Sequence, residues 1–240
     1  LKNSFHGRTM ATITATGQDV FHQYFDPFLE GFEYADANDT DELKKLISEG
    51  GVCAVMMELI QGEGGVLPLD KDYVKQAFSL CKDNDVLFMT DEVQTGMGRT
   101  GTLFLYQQYG IVPDVCTTAK GLGAGLPIGA CLCSDALKDV LSPGTHATTS
   151  GANPVVCAGA NVVLDTLLSQ GFLASVTSKG QYIRSQLQNA AVDGPIRGAG
   201  LMLGIKPSKM TSAEAAAQCM HAALFVLIAK DSLRLLPPPN

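Results

Sequence analysis

Between residues 52 and 133 the chain alternates short apolar runs with a segment of helical periodicity, and this alternation limits the folds it can adopt. Strand-like runs lie at 52–60, 86–90, 114–119 and 127–133, and a helical pattern covers 72–83. The first run shows no polar alternation, as expected for a strand that is buried on both faces. Strands that are separated by helical segments predict βαβ units and a mostly parallel sheet in an α/β fold.

A long helix is predicted to follow this alternating region. The stretch "NPVVCAGANVVLDTLLSQG" (153–171) begins with Asn153 as an N-cap and Pro154 in the first turn. Gly171 is a favourable residue for ending a helix. We therefore expect one helix from 153 to 171.

The pattern changes near residue 170. Further helices are predicted at about 172–190 and 212–229, and "IRGAGLMLGI" (196–205) lies between them. This change predicts two domains. The first, at 1–170, is a large domain with a mostly parallel sheet, and the second, at 171–240, is a smaller C-terminal α+β domain.

Charge and cysteine content exclude several function classes. A net charge of −7 argues against nucleic acid and anionic membranes as partners. No apolar run approaches the ~20 residues of a membrane span, and no secretory signal precedes the first motif. The seven cysteines are odd in number and lack a CxxC spacing, which favours buried, reduced thiols in a cytoplasmic protein. The four histidines show no metal-ligand spacing, so no metal is expected.

Two strand-like runs end on a single charged residue, Asp91 in "FMTDEVQTGMGRTG" and Lys120 in "TTAKGLGAGLPIGA". A glycine-rich turn follows each charge, and glycines let the backbone turn tightly and approach a ligand closely. In open α/β sheets, ligands bind in the crevice beyond the carboxyl ends of the strands. The two charges are therefore candidate ligand contacts.

Two explanations remain open for this acid and this amine. Asp91 and Lys120 could form a salt bridge at the sheet edge, or both could serve one cofactor. Pyridoxal phosphate needs such a pair, because its aldehyde condenses with a lysine and its pyridinium nitrogen needs an anionic partner. The spacing alone does not decide between them.

The chain resembles the class III aminotransferases, which are fold-type I pyridoxal-phosphate enzymes. The resemblance rests on six motifs in the family's order: "NSFHGRT", "ELIQGEGG", "DEVQTGMGRTG", "TTAKGLGAGLPIGA", "TTSGANP" and "LRLLPP". The third and fourth are the most specific. "FHGRT" and "LRLLPP" direct the resemblance towards the branch that acts on acetylornithine.

The resemblance implies how pyridoxal phosphate is held. Lys120 condenses with the aldehyde and later moves a proton, while Asp91 pairs with the pyridinium nitrogen. Phe5 and Val93 pack on the two faces of the ring. Without the resemblance, both are interpreted as ordinary core residues. Gln94 approaches the ring hydroxyl.

The resemblance also implies a substrate site. Arg8 binds the substrate carboxylate remote from the reacting amine, and Glu58 lies at a strand end near the cofactor. Glu63 and Arg234 form a switchable ion pair. Without the resemblance, Arg8 and Arg234 are interpreted as solvated charges and Glu63 as a turn residue.

A homodimer with shared active sites is the expected assembly. By the resemblance, Thr149, with Thr148 beside it, contacts the phosphate of the cofactor in the neighbouring subunit. The alternative is that both threonines merely cap the helix that starts at Asn153.

The activity implied by the resemblance is transfer of the side-chain amine of acetylornithine to 2-oxoglutarate, in arginine biosynthesis. Ornithine, succinylornithine and 4-aminobutyrate are alternative donors, and a catalytically silent fragment is the alternative outside this class. The chain departs from the family at Leu59, where Pro is usual, and at Ser150 and Ala152, where Tyr and Gly are usual. The family's N-terminal part is absent from the 240 residues, so both domains are expected to be truncated.

Overall fold

The computed structural model describes all 240 residues. Its helices are α1 Met10–Ala15, α2 Thr40–Ser48, α3 Lys71–Asp83, α4 Tyr106–Tyr109, α5 Pro154–Leu167, α6 Phe172–Asn189 and α7 Ser212–His221. Its strands are β1 Ala54–Met57, β2 Ile60–Gln61, β3 Leu67–Pro68, β4 Leu87–Asp91, β5 Val115–Thr118, β6 Ala130–Cys133, β7 Ile196–Ala199, β8 Met202–Ile205, β9 Leu227–Ala229 and β10 Ser232–Leu235.

The main sheet has the strand order β1-β4-β5-β6. β4 pairs in parallel with β1 and β5, as predicted, but β6 runs antiparallel to β5. The sheet is therefore mixed rather than built only of βαβ units. The physical reason is the connection. Residues 119–129 form a short link with a single 3-10 helix, Lys120–Gly123, whereas a parallel return needs a crossover of a dozen or more residues, usually an α-helix.

The predicted strand 52–60 is shorter in the structure. β1 ends at Met57, and the chain then leaves the main sheet so that β2 pairs with β3 instead. Glu58 lies at this departure point. The break brings a carboxyl group to the carboxyl end of β1.

The core of this part forms where α3 covers the sheet. Tyr73, Val74, Ala77 and Cys81 lie on one face of α3 and are buried, which confirms the predicted helix. Phe88 of β4 is fully buried against this layer. Burial of a large apolar side chain contributes about 1.5–3 kcal/mol, so this contact holds β4, and therefore Asp91, in place.

The predicted helix 153–171 is α5, which is shorter than predicted at its C-terminal end, and the helix predicted at about 172–190 is α6. The Asn153 side chain accepts a hydrogen bond from the Val156 N–H at 3.1 Å, which confirms the N-cap. α5 ends at Leu167, however, and Gly171, at φ +85°, is the N-cap of α6 rather than the end of α5. Neither helix alone has the length and apolar composition of a membrane span. The two reach it only when they are counted together, across a 69° bend.

The second sheet is antiparallel throughout, in the order β7-β8-β10-β9. The predicted helix 212–229 ends at His221, because Ala223 adopts a left-handed φ of +59° and the Leu224 N–H bonds to the Cys219 carbonyl. The following run 224–228 is rich in aromatic and branched residues, which favour strands, and part of it pairs with β10.

All seven cysteines are free thiols. Cys81 and Cys116 are buried, but Cys53, Cys131 and Cys133 are exposed, so the predicted burial is wrong for these three. The last two lie on β6, whose four residues are all exposed at the edge of the sheet.

Candidate active site

Asp91 and Lys120 lie at the same end of the main sheet, where β4 and β5 have their carboxyl ends. Asp91 is the last residue of β4 and faces Thr117 of the parallel strand β5, and Lys120 follows two residues after β5 ends. Asp91 is 6% exposed, whereas Lys120 is exposed and has a left-handed φ of +43°. A non-glycine residue in that conformation is strained, and such strain clusters at functional sites.

The salt bridge between these two charges is not formed. The Lys120 side chain makes no ion pair and no hydrogen bond within the 240 residues. Asp91 is instead held by other donors. Its Oδ1 accepts from the Val93 N–H at 3.0 Å and the Thr117 hydroxyl at 3.3 Å, and its Oδ2 lies 2.8 Å from His6 Nδ1.

His6 and Thr117 are site residues that the sequence reasoning missed. His6 follows Phe5 in the "FHGRT" motif, but no local spacing pattern marks it as a site residue. The signal for Thr117 was available in principle, since the register of two parallel strands ending at one edge places it opposite Asp91.

Glu58 is buried at the end of β1. Its carboxyl accepts hydrogen bonds from the Phe5 N–H at 2.8 Å and the Gly62 N–H at 3.1 Å. Burial raises the pKa of Glu58 to about 8 despite these two donors, and the nearby Asp91 charge acts in the same direction. Glu58 is therefore predominantly a neutral acid at pH 7 that fixes the backbone just before His6.

Glu63 and Arg234 are in contact although 171 residues separate them. Arg234 Nη1 donates to Glu63 Oε1 at 2.7 Å and to Gln94 Oε1 at 2.9 Å. Arg234 is 7% exposed, whereas the Glu63 side chain is 28% exposed. The Gln94 amide packs directly on Gly62, where a Cβ atom would lie 2.3 Å from its Oε1, so a side chain at this position would displace the Gln94 amide.

Phe5, Arg8 and Phe21 form an aromatic and cationic group beside His6. The Phe5 and Phe21 rings pack edge to face with centroids 5.0 Å apart. The Arg8 guanidinium lies 5.6 Å and 5.1 Å from the two ring centroids. Arg8 is exposed and has no carboxylate partner in the chain, so it is available to an external anion.

A cavity of about 600 Å³ opens over the carboxyl ends of β4 and β5. Val93, Gln94 and Lys120 line one side, and α5 and the last residues of the chain line the other. Thr148 and Thr149 do not line this cavity. Both are exposed in the loop before α5, so the structure does not bring them to the other site residues within one chain.

The side chains present fit the ring and the aldehyde of pyridoxal phosphate. Asp91 is a buried carboxylate with no lysine or arginine partner, and Lys120 is a primary amine with no acidic partner. Thr118, between them in sequence, has a buried hydroxyl without a hydrogen-bond partner. An acid for a ring nitrogen and an amine for an aldehyde, on adjacent strand ends, define the class of pyridoxal-phosphate-dependent transferases of fold type I.

Comparison with known proteins gives the family. The model of the class-III aminotransferases matches residues 1–239, and the chain belongs to this family, which uses pyridoxal phosphate. It is 48% identical over 239 residues to the acetylornithine aminotransferase of Haemophilus ducreyi, covering 99% of this chain and 61% of that protein. The chain thus spans about three fifths of the length of the curated relatives it matches.

Solved structures give the same result for the fold. The ornithine aminotransferase of Toxoplasma gondii ME49 superposes with a TM-score of 0.93 at 31% identity, covering 99% of this chain and 59% of that one. A second structure of the Toxoplasma gondii enzyme, crystallized in the presence of oxidized glutathione, has a TM-score of 0.93 at 30% identity, with 99% and 58% covered. It shows partial occupancy of PLP at its active site. The predicted fold type I is therefore confirmed.

Proposed function

We propose that the protein containing this chain is an acetylornithine aminotransferase. It moves the side-chain amine of N2-acetylornithine to 2-oxoglutarate and serves arginine biosynthesis. The observation that carries this proposal is the Glu63–Arg234 ion pair beside Gln94 and the Lys120 cavity. Such a pair suits a site that must accept two unlike substrates in turn. The acetylornithine aminotransferases among the relatives support the choice of donor.

Pyridoxal phosphate, when bound, supplies an aldehyde that takes up an amine and a ring that absorbs electrons from the substrate carbon. In this proposal Lys120 would hold the cofactor through its aldehyde. Once the substrate amine has taken that place, the freed Lys120 amine would move the proton from the substrate carbon. Its lack of an ion-pair partner supports this role, because the amine is not committed to a carboxylate. Asp91 holds a negative charge against the ring nitrogen.

Phe5 and Val93 are assigned to the two faces of the cofactor ring, and Gln94 to the ring hydroxyl. Val93 is tied to Asp91 through its N–H, and Phe5 is tied to Glu58 through its own. Each ring-face residue is therefore fixed by a carboxyl group of the site. Glu58 acts in this proposal mainly by orienting the segment that carries Phe5.

Arg8 is assigned to the carboxylate of the amine donor. It is a cation with two aromatic neighbours and no acidic partner. Arg234 is assigned to the second carboxylate that 2-oxoglutarate brings. Glu63 neutralises Arg234 while the donor is bound and releases it when the acceptor enters. A guanidinium fork suits this alternation because it binds carboxylates bidentately.

The proposed assembly is a homodimer with shared active sites in the cytoplasm. Thr148 and Thr149 are exposed outside their own cavity, which is consistent with contacts to the phosphate in a neighbouring subunit. Val155, near the start of α5, is an apolar residue that is 73% exposed. Residues 1–170 and 171–240 are proposed as a large and a small domain, which fits the two separate sheets.

The test of this function is an assay of the protein from the complete reading frame. Acetylornithine, ornithine, succinylornithine and 4-aminobutyrate are compared as donors, with 2-oxoglutarate as the acceptor and glutamate measured as product. The highest kcat/KM is expected for acetylornithine. The structural similarity to ornithine aminotransferase makes ornithine the second candidate. A protein that stays colourless with excess pyridoxal phosphate and makes no glutamate would be the silent form instead.

A further inference from the structure

We propose that His6 is a positioning residue whose neutral ring donates a hydrogen bond from Nδ1 to Asp91. It fixes the direction of that carboxylate without cancelling its negative charge. The contact itself is independent of the proposed function. What it achieves rests on that function, because Asp91 matters for a ring nitrogen only if pyridoxal phosphate binds there.

The contact is short and excluded from water. His6 Nδ1 lies 2.8 Å from Asp91 Oδ2, and the side chains are 1% and 6% exposed. The other oxygen of Asp91 already accepts from Val93 and Thr117. Without His6, Oδ2 would have no donor from the chain, and the carboxylate could turn about its Cβ–Cγ bond.

The second ring nitrogen decides the protonation form. His6 Nε2 is buried and has no hydrogen-bond partner. An ionised carboxylate only accepts, so the proton between the two groups belongs to Nδ1. A second proton on Nε2 would create a buried N–H without an acceptor, which costs the full desolvation of that group. The neutral form with its proton on Nδ1 is therefore favoured.

The backbone prevents His6 from leaving this position. The His6 N–H donates to the Thr16 hydroxyl at 2.9 Å, and the preceding Phe5 N–H donates to Glu58 at 2.8 Å. Thr16 is fully buried at the end of α1. The ring is therefore held between the first helix and the end of β1 while it contacts the end of β4.

A neutral donor has a consequence that a cation would not have. The His6–Asp91 pair keeps a net charge of −1 directed at the position of the ring nitrogen. A lysine or arginine at this place would instead form an ion pair and remove most of that charge from the site. The histidine supplies direction and leaves the electrostatic effect of Asp91 intact.

The test compares His6→Asn with His6→Phe in the protein from the complete reading frame. An asparagine amide can place an N–H near the position of Nδ1, whereas phenylalanine keeps a buried ring but has no donor. The dissociation constant of pyridoxal phosphate is measured by absorbance titration of the cofactor-free protein. Binding is expected to weaken less than roughly fivefold in His6→Asn and roughly ten- to a hundredfold in His6→Phe. A role in packing alone predicts the reverse order, and that order would overturn the proposal.

A second measurement needs neither variant nor cofactor. The ¹⁵N NMR signals of the His6 ring in the cofactor-free wild type are expected to show a proton on Nδ1 and none on Nε2. Protonation of both nitrogens, or of Nε2 alone, would contradict the proposal even if His6→Phe does not fold. Failure of the proposed function would be seen separately, as wild-type protein that binds no pyridoxal phosphate while the NMR result is unchanged.

Discussion

Three separate segments of the chain supply hydrogen-bond donors to Asp91. They contain His6 near the start of the chain, Val93 two residues after Asp91, and Thr117 on β5. The sequence predicted Asp91 and Lys120 as candidate ligand contacts, because each follows a strand-like run and precedes a glycine-rich turn. It did not predict the partners of Asp91, because His6 reaches it across 85 residues. A contact of that span depends on how α1 packs, which local patterns do not encode.

Asp91→Asn is expected to weaken the binding of pyridoxal phosphate at least as much as His6→Phe does. With the cofactor supplied in excess, it is expected to slow proton removal from the substrate carbon by more than roughly 100-fold. A neutral amide cannot hold a charge against the ring nitrogen, and electrostatic stabilisation is usually the largest catalytic term. Stopped-flow absorbance of the half-reaction with acetylornithine measures this rate. Asp114→Asn is the control, since Asp114 pairs with Lys82 at the opposite end of β5. Equal rates in the two variants would remove Asp91 from the site.

The raised pKa of Glu58 predicts how stability depends on pH. In the unfolded chain this carboxyl ionises near its ordinary pKa of 4.5, but in the folded protein it stays protonated until about pH 8. Between these values the folded state binds more protons, so the contribution of Glu58 to stability falls as pH rises, by on the order of a few kcal/mol. Above about pH 8 the contribution is constant.

Glu58→Gln removes this titration. The free energy of unfolding of the cofactor-free variant and of the cofactor-free wild type is measured with denaturant at pH 5 and pH 8. The stability of the variant relative to the wild type should be higher at pH 8 than at pH 5. Gln also loses one acceptor for the Phe5 and Gly62 N–H groups, so the variant is expected to be less stable at pH 5. A stability difference that is independent of pH would show that Glu58 is already ionised in the folded protein.

At the scale of the elements, the turns that hold the site are organised by buried polar residues. Glu92, 1% exposed, accepts hydrogen bonds from the Thr95 hydroxyl and the Tyr106 N–H. It thereby joins the glycine-rich turn after β4 to the start of α4.

The alternation of apolar runs predicted α3, β4 and β5, because their burial follows directly from periodicity. The antiparallel β6 and the early ends of α5 and α7 were not predicted, since they depend on connection length and on left-handed residues.

α5 offers a direct test at this scale. Asn153→Ala is expected to destabilise the protein by about 1 kcal/mol, because the Val156 N–H loses its cap. Asn153→Asp is the matched control, as it keeps a side-chain acceptor at the N-terminus of the helix. Urea unfolding of both variants measures the change. The interpretation of Asn153 as a cap would be wrong if alanine and aspartate behaved alike.

At the scale of the whole molecule, the candidate site joins segments that lie far apart in the chain. Glu63 follows β2, Gln94 follows β4 and Arg234 lies in β10 of the second sheet. The site is therefore complete only when the two sheets are held together. The sequence gives no local pattern for such a contact, and the pairing of Glu63 with Arg234 was implied by the resemblance alone. The hydrogen bond from Arg234 to Gln94 was not predicted.

Glu63→Ala is expected to leave Arg234 without its carboxylate partner. The variant should gain activity towards glutamate relative to acetylornithine, by roughly ten- to a hundredfold in the ratio of the two half-reaction rates. Glu30→Ala, at an exposed glutamate without a hydrogen-bond partner, is the control. Stopped-flow absorbance of the bound cofactor with each amino donor gives the ratio. An unchanged ratio would mean that Glu63 is only a turn residue.

We propose that the amine of Lys120, at the carboxyl end of β5, is the group that attaches to pyridoxal phosphate. The most direct measurement is borohydride reduction of the yellow protein from the complete reading frame, followed by peptide mapping by mass spectrometry. A single modified lysine, Lys120, is expected, with no trapped cofactor in the Lys120→Ala variant. That variant should remain folded, because the Lys120 side chain makes no hydrogen bond or ion pair. Modification of Lys138 or of any other lysine in the wild type would contradict this proposal.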